Sequence, residues 1–136
     1  MNALSERLLQ VLMKNARASN TQLAKKLGVS EGTIRNQLKR LTKEGIITGF
    51  SADVSLRNQF MAIALLKTAA EEYTPKVVAK LNKIRGSWKV FEVSGQWDIV
   101  LLASLPSPEE YNEFIEKVRN TRGVESTQSL IVLRKS

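Results

Sequence analysis

Leu4, Leu8, Leu9, Val11 and Leu12 recur at helical spacing, so residues 5–15 are predicted to form a first helix with Ser5 as its N-cap. Ser19 and, three residues on, Gln22 match the capping box of a second, short helix whose inner face is Leu23, Ala24 and Leu27. Gly28 then stands where a helix ends in a left-handed residue. Val29 can plug the corner, and Ser30 is a ready N-cap for a third helix. In that helix Ile34, Leu38 and Leu41 are spaced by four and three, which at about 100° per residue gives one narrow core-facing stripe. Two helices joined by the turn 28–30 have helix-turn-helix geometry.

From Gly45 the period changes. Phe50, Ala52 and Val54 alternate with Ser51 and Asp53, which predicts a hinge strand and linker that pairs with another strand rather than a wing touching DNA. Phe60–Leu66 reads as a strand apolar on both faces. Thr74-Pro75 caps a helix with Val77, Val78, Leu81 and Ile84 inward and Gly86 at its end. Residues 88–94 and 99–105 are predicted strands around a tight Gly95-Gln96-Trp97-Asp98 corner. Ser107-Pro108-Glu109-Glu110 combines a capping box with proline at the first helical position, for a helix using Tyr111, Phe114, Ile115 and Val118. Gly123 stops it, and 124–133 is the last strand. The order βαββαβ specifies an α+β chain: a helix-turn-helix domain (1–46), a hinge strand or linker (47–58) and a ferredoxin-like sandwich (59–136).

Two helices can cover only one face of that sheet, yet the strands at 60–66 and 99–103 are apolar on both. A second copy of the same sheet is the economical cover. It makes a two-fold dimer, extendable to larger rings, and sets two third helices for successive major grooves about 34 Å apart.

Charge sharpens the reading of the first third. The chain carries 21 Lys and Arg against 13 Asp and Glu, and the first 50 residues hold nine of the basic and three of the acidic ones. Such a field attracts polyanions, foremost nucleic acid, through counterion release. A membrane surface is the weaker alternative, because the basic helices lack a Trp or Phe face. Opposite the apolar stripe of the third helix lie Gly32, Asn36, Lys39 and Lys43, flanked by Arg35 and Arg40. Arg35 and Asn36 suit base edges in the major groove of double-stranded DNA, while Lys39, Arg40 and Lys43 suit phosphates. Ser30, Gly32 and Thr33 lie at the helix N-terminus, where the backbone can approach closely. An ordinary solvated helix face is the plain alternative.

With no Cys and no His, disulfides, thiolate zinc sites and His-based catalysis are excluded. Tyr111, Asp98 and Glu92 are the remaining candidates for an enzyme and have no motif spacing. The apolar strands lack the exposed aromatic pairs that stack RNA bases. The longest apolar run, 60–66, is too short to span a bilayer, and no signal-like N-terminus is present, so a cytoplasmic protein is expected.

Taken together, Ala16-Arg17-Ala18-Ser19, Gln22-Leu23-Ala24 with Leu27-Gly28-Val29-Ser30, Lys39-Arg40-Leu41, Gly45-Ile46-Ile47-Thr48-Gly49-Phe50, Gly95-Gln96-Trp97-Asp98 and Gly123-Val124-Glu125-Ser126-Thr127-Gln128-Ser129 resemble the Lrp/AsnC (leucine-responsive, feast/famine) transcription regulators over almost the whole chain. The resemblance implies a sequence-specific DNA-binding domain hinged to a RAM-type domain that binds small amino acids and assembles dimers into higher oligomers, often octamers. By position it assigns the effector to Gly95, Gln96, Trp97, Asp98, Thr127 and Ser129. Asp98 would pair with the α-ammonium, while turn N–H groups and the hydroxyls would take the α-carboxylate. No metal or other cofactor is implied. A plain hairpin turn, with Asp98 serving local N–H groups and Thr127 and Ser129 as ordinary strand residues, stays open. So does an architectural, DNA-wrapping protein of little specificity and no effector.

Overall fold

The computed structural model describes residues 1–55 and 58–136, which fall into two compact units, Met1–Val54 and Ser55–Ser136. The first is all helical: α1 (Ala3–Lys14), α2 (Asn20–Leu27) and α3 (Glu31–Lys43). Leu8, Leu23, Leu27, Ile34 and Leu41 from the three helices close one core, with Leu38 and Val29 packed at its edge. The capping box of α2 forms reciprocally, Ser19 Oγ accepting from the Gln22 N–H and Gln22 Oε1 from the Ser19 N–H. Gly28 is left-handed (φ 70°), so the chain reverses where only glycine is unstrained. Ser30 Oγ then accepts from the Thr33 N–H to open α3.

Two expectations in this unit are corrected. α1 starts at Ala3 and its cap is Asn2, whose side chain accepts from the Ser5 N–H. Ser5 lies inside the helix, three and seven residues before Leu8 and Leu12, and is buried with them. Residues 48–55 are in neither helix nor strand, although the alternation of Phe50, Ala52 and Val54 predicts a strand. A strand needs a neighbour for its N–H and C=O groups, and the helical unit offers none. Phe50 and Val54 are accordingly exposed. Positions 56 and 57 of the expected linker lie outside the described residues.

The second unit runs β1 (Phe60–Thr68), α4 (Thr74–Asn82), β2 (Ser87–Glu92), β3 (Ile99–Leu105), α5 (Pro108–Arg119) and β4 (Val124–Ile131). Its antiparallel sheet has the order β2-β3-β1-β4, as βαββαβ requires. Ala62, Ala64, Leu66, Ile99, Leu101 and Ala103 face the helices and are buried against Val77, Leu81, Phe114, Ile115 and Val118. The three alanines at the sheet centre let both helices lie close.

Several boundaries differ from the expected ones. Thr74 is the first residue of α4, Tyr73 stands at the cap with no side-chain bond, and Ile84 lies beyond the helix end while still packing on the core. β2 ends at Glu92 rather than 94, and β4 at Ile131 rather than 133. At α5 Ser107 Oγ accepts from the Glu110 N–H, as expected. The Glu110 carboxylate instead takes the Ser107 hydroxyl, so the capping box is incomplete.

On the other face, Ile63 sits between Leu102 and Leu130, and Leu65 opposite Val100. These side chains are half-buried or exposed, and Phe91 beside Val100 is 48% exposed. The sheet is thus apolar on both faces and covered on one.

Gly123 and Gly95 separate two sources of strain. Both have positive φ (99° and 120°), but a Cβ on Gly123 would lie 2.6 Å from Val77 Cγ2, whereas one on Gly95 meets nothing within 4 Å. Gly95→Ala is expected to cost about 1–2 kcal/mol from backbone strain alone. Gly123→Ala should cost about 1–3 kcal/mol more, since Val77 is fully packed. Urea denaturation of the two variants checks this; equal losses would contradict the packing at Gly123.

Candidate functional site

α3 places Arg35, Asn36, Lys39, Arg40 and Lys43 in solvent, while Ile34 and Leu41 on its opposite side are fully buried. This is what four-and-three spacing must do: the apolar stripe turns inward and carries the basic residues outward. Gly32 is exposed and Thr33 half-buried. The Ser30 and Thr33 hydroxyls lie 2.9 Å apart and cap the helix, so both are already engaged in holding its N-terminus.

Two contacts of α3 go beyond what local spacing indicates. Thr21 Oγ1 donates to Glu31 Oε1 at 2.8 Å, tying α2 to the start of α3. Arg40 Nη2 donates to Ser5 Oγ and Gln37 Oε1, at 2.7 and 2.9 Å. The available signal was that Ser5 lies on the same helical stripe as Leu8 and Leu12, where a polar residue must find a partner.

The six residues expected around an effector lie on two elements, the turn between β2 and β3 and the strand β4. Gly95 and Gln96 are exposed, and Trp97 and Asp98 half-buried, at the turn between β2 and β3. Asp98 Oδ2 accepts from the Thr68 N–H at 2.9 Å and from Thr68 Oγ1 at 3.2 Å. The Thr68 N–H holds the Asp98 carboxyl below its ordinary range, with the nearby Lys67 charge and the Thr68 hydroxyl adding to it and partial burial opposing it. The backbone of the corner is pinned too, through Asp98 N–H to Leu66 O and Val93 N–H to Asp98 O. The N–H groups of Gly95, Gln96 and Trp97 enter no hydrogen bond among the described residues.

Thr127 and Ser129 lie on β4, opposite Leu66 and Ala64, and so face the helices. Thr127 Oγ1 accepts from Arg119 Nε at 3.1 Å, and Ser129 Oγ shares a 2.6 Å bond with the Tyr111 hydroxyl. Ser129 lines a cleft of about 390 Å³ with Phe60, Tyr111, Asn112, Arg119 and Ile131, and none of residues 95–98 borders it.

Comparison with known proteins bears on these features. A family model described as winged helix-turn-helix DNA-binding matches residues 1–48, and one described as Lrp/AsnC ligand binding domain matches residues 60–136. The chain belongs to the Lrp/AsnC family. The HTH-type transcriptional regulator LysM of Sulfurisphaera tokodaii is 38% identical over 128 residues, spanning 94% of this chain and 91% of that protein. The HTH-type transcriptional regulator Ptr1 of Methanocaldococcus jannaschii is 36% identical over 133 residues, 94% of this chain and 88% of that protein. Among solved structures, E. coli AsnC superposes with TM-score 0.76 at 28% identity, covering 99% of this chain and 93% of that one. A Neisseria meningitidis transcriptional regulator in complex with L-Met superposes with TM-score 0.82 at 22% identity, covering 99% and 91%, a likeness of fold. The chain is thus a transcription regulator with a helix-turn-helix and a ligand-binding domain. Among the described residues no helix is long and apolar enough to cross a membrane.

The depressed Asp98 carboxyl has a consequence for this Lrp/AsnC domain. A carboxylate whose folded pKa lies below its unfolded value of about 3.9 stabilises the fold above that pH and ceases to do so as pH falls through the folded value. Asp98→Asn keeps an acceptor for Thr68 without titrating. The wild type should therefore lose more stability than this variant between neutral pH and acid below about pH 4. Urea midpoints measured across that range check it; parallel curves would mean that the Thr68 bonds do not distinguish the charged form.

Proposed function

We propose that this protein is a sequence-specific DNA-binding regulator in the cytoplasm, whose DNA affinity or assembly responds to a small amino acid. The observation that carries the DNA reading is the outer face of α3. Arg35 and Asn36, exposed opposite a fully buried stripe, are assigned to base edges in the major groove, and Lys39, Lys43 and Arg40 to phosphate. Ser30, Gly32 and Thr33 form the helix entry that the DNA backbone approaches.

The effector reading rests on the family's ligand-binding domain and on the corner at 95–98. The N–H groups of Gly95, Gln96 and Trp97 suit an α-carboxylate, and Asp98 Oδ1 suits the α-ammonium while Oδ2 stays with Thr68. Thr127 accepts from Arg119 and keeps its own O–H to donate, while Ser129 would share its hydroxyl between Tyr111 and the ligand. The open apolar face of the sheet supports a homodimer built sheet to sheet, and further contacts between dimers would give the larger oligomers, up to octamers, expected of such regulators.

Lys39→Ala should lower the slope of log affinity against log salt by about one unit. Asn36→Ala should relax sequence preference more than it weakens binding, and competition with random DNA reads the difference. Equal affinity for every sequence in the wild type would favour the architectural, wrapping alternative.

Leu65→Lys places a charge on the open face without touching the helix side, and is expected to give a folded monomer by light scattering. A dimer that persists in this variant would rule out the sheet-to-sheet contact. Adding amino acids singly to the wild type should shift its mass or its DNA affinity for at least one of them, and Asp98→Ala should remove that response. Insensitivity to all would sink the effector assignment.

A further inference from the structure

Ser5 is fully enclosed on the inner stripe of α1. A hydroxyl there needs partners, and they come largely from α3. Arg40 Nη2 donates to Ser5 Oγ at 2.7 Å and to Gln37 Oε1 at 2.9 Å, which uses both hydrogens of that nitrogen. The single Ser5 hydrogen has two acceptors in reach, Asn2 Oδ1 at 2.8 Å and Gln37 Oε1 at 2.9 Å. Arg40 itself is exposed on the flank of the basic face, beside Lys39 and one turn beyond Asn36. It makes no ion pair among the described residues, and its Nη1 and Nε take no internal bond.

We propose that Ser5 and Gln37 are positioning residues for DNA binding, holding the Arg40 guanidinium in one rotamer so that Nη1 and Nε meet a backbone phosphate. The inference rests on reading α3 as the DNA face and adds a role for α1. The chemistry of the partners argues for it. Serine and glutamine are neutral acceptors, so they orient the guanidinium and leave its full charge for the phosphate, whereas a carboxylate would cancel that charge locally. Arginine's planar fork gains most from such fixing, since a long flexible side chain otherwise loses its freedom at the moment of binding. Burial of Ser5 also shields its bond to Arg40 from competition by water.

The test is a double-mutant cycle on the full chain, read by fluorescence anisotropy with a duplex of generic sequence over a range of salt. Arg40→Ala should reduce the salt slope by about one unit. Ser5→Ala and Gln37→Ala should each weaken binding roughly two- to tenfold, the freedom of one long side chain, while the slope stays that of the wild type. In the Arg40→Ala background neither should have any further effect. Equal weakening in both backgrounds would make the network a helix–helix tie and overturn the proposal, as would an unchanged slope in Arg40→Ala. Gln37 is only half-buried, so its arm of the cycle decides the matter should Ser5→Ala fail to fold. Lys39→Ala, measured in parallel, keeps the two readings apart. If its slope falls while the Arg40 cycle fails, only the positioning role is lost; if neither slope falls, α3 is not the DNA face.

Discussion

Alternation along the two central strands is the constraint on which the second unit depends. β1 and β3 pair so that Ala62, Ala64 and Leu66 share a face with Ala103, Leu101 and Ile99, and a slip of one residue would send all of them to the opposite side. The polar bonds at the end of the strands reinforce that register. Asp98 receives the Thr68 N–H and hydroxyl on its carboxylate and donates its own N–H to Leu66. The corner proposed to meet an effector therefore also pins the pairing of β1 with β3, so a ligand bound there would touch atoms that hold the sheet register.

The same alternation leaves Ile63, Leu65, Val100 and Leu102 on a face that α4 and α5 do not cover. Fully burying a side chain of this size contributes about 1.5–3 kcal/mol relative to full exposure; these four are already half-buried, so a partner sheet would gain only part of that from each. Assembly and ligand response would then share one element, because β1 and β3 carry both the open face and the anchor of the corner.

In the helical unit, capping carries the geometry. Reciprocal bonds at Ser19 and Gln22, the left-handed Gly28 and the Ser30 cap set the angle between α2 and α3, each cap contributing about 1 kcal/mol. With those ends set, the stripe of Ile34 and Leu41 has one way to face, and the basic side chains are turned outward. The bond from Arg40 to Ser5 crosses this arrangement, linking the outer flank of α3 to the interior of α1.

Features written in local spacing are legible in the sequence alone. Helix periods, the capping box at Ser19, the glycine turn at 28, the βαββαβ order and the two-sided apolar strands all depend on residues a few positions apart, where geometry is dictated by the chain itself. Misreadings arose wherever the deciding partner was distant or absent. Ser5 looked like a cap because a serine at the start of an apolar period often is one; Asn2 took that role, and Ser5 found Arg40 35 residues away. The alternation at 50–54 looked like a strand, yet a strand exists only against a neighbour. Thr127 and Ser129 carry hydroxyls suited to a ligand, and only the fold shows that Arg119 and Tyr111 on α5 lie within hydrogen-bond distance of them. Local periodicity and capping thus dictate which elements form and which way each faces, while the partners of Ser5, Asp98, Thr127 and Ser129 are decided only when the folded chain brings remote segments within hydrogen-bond distance.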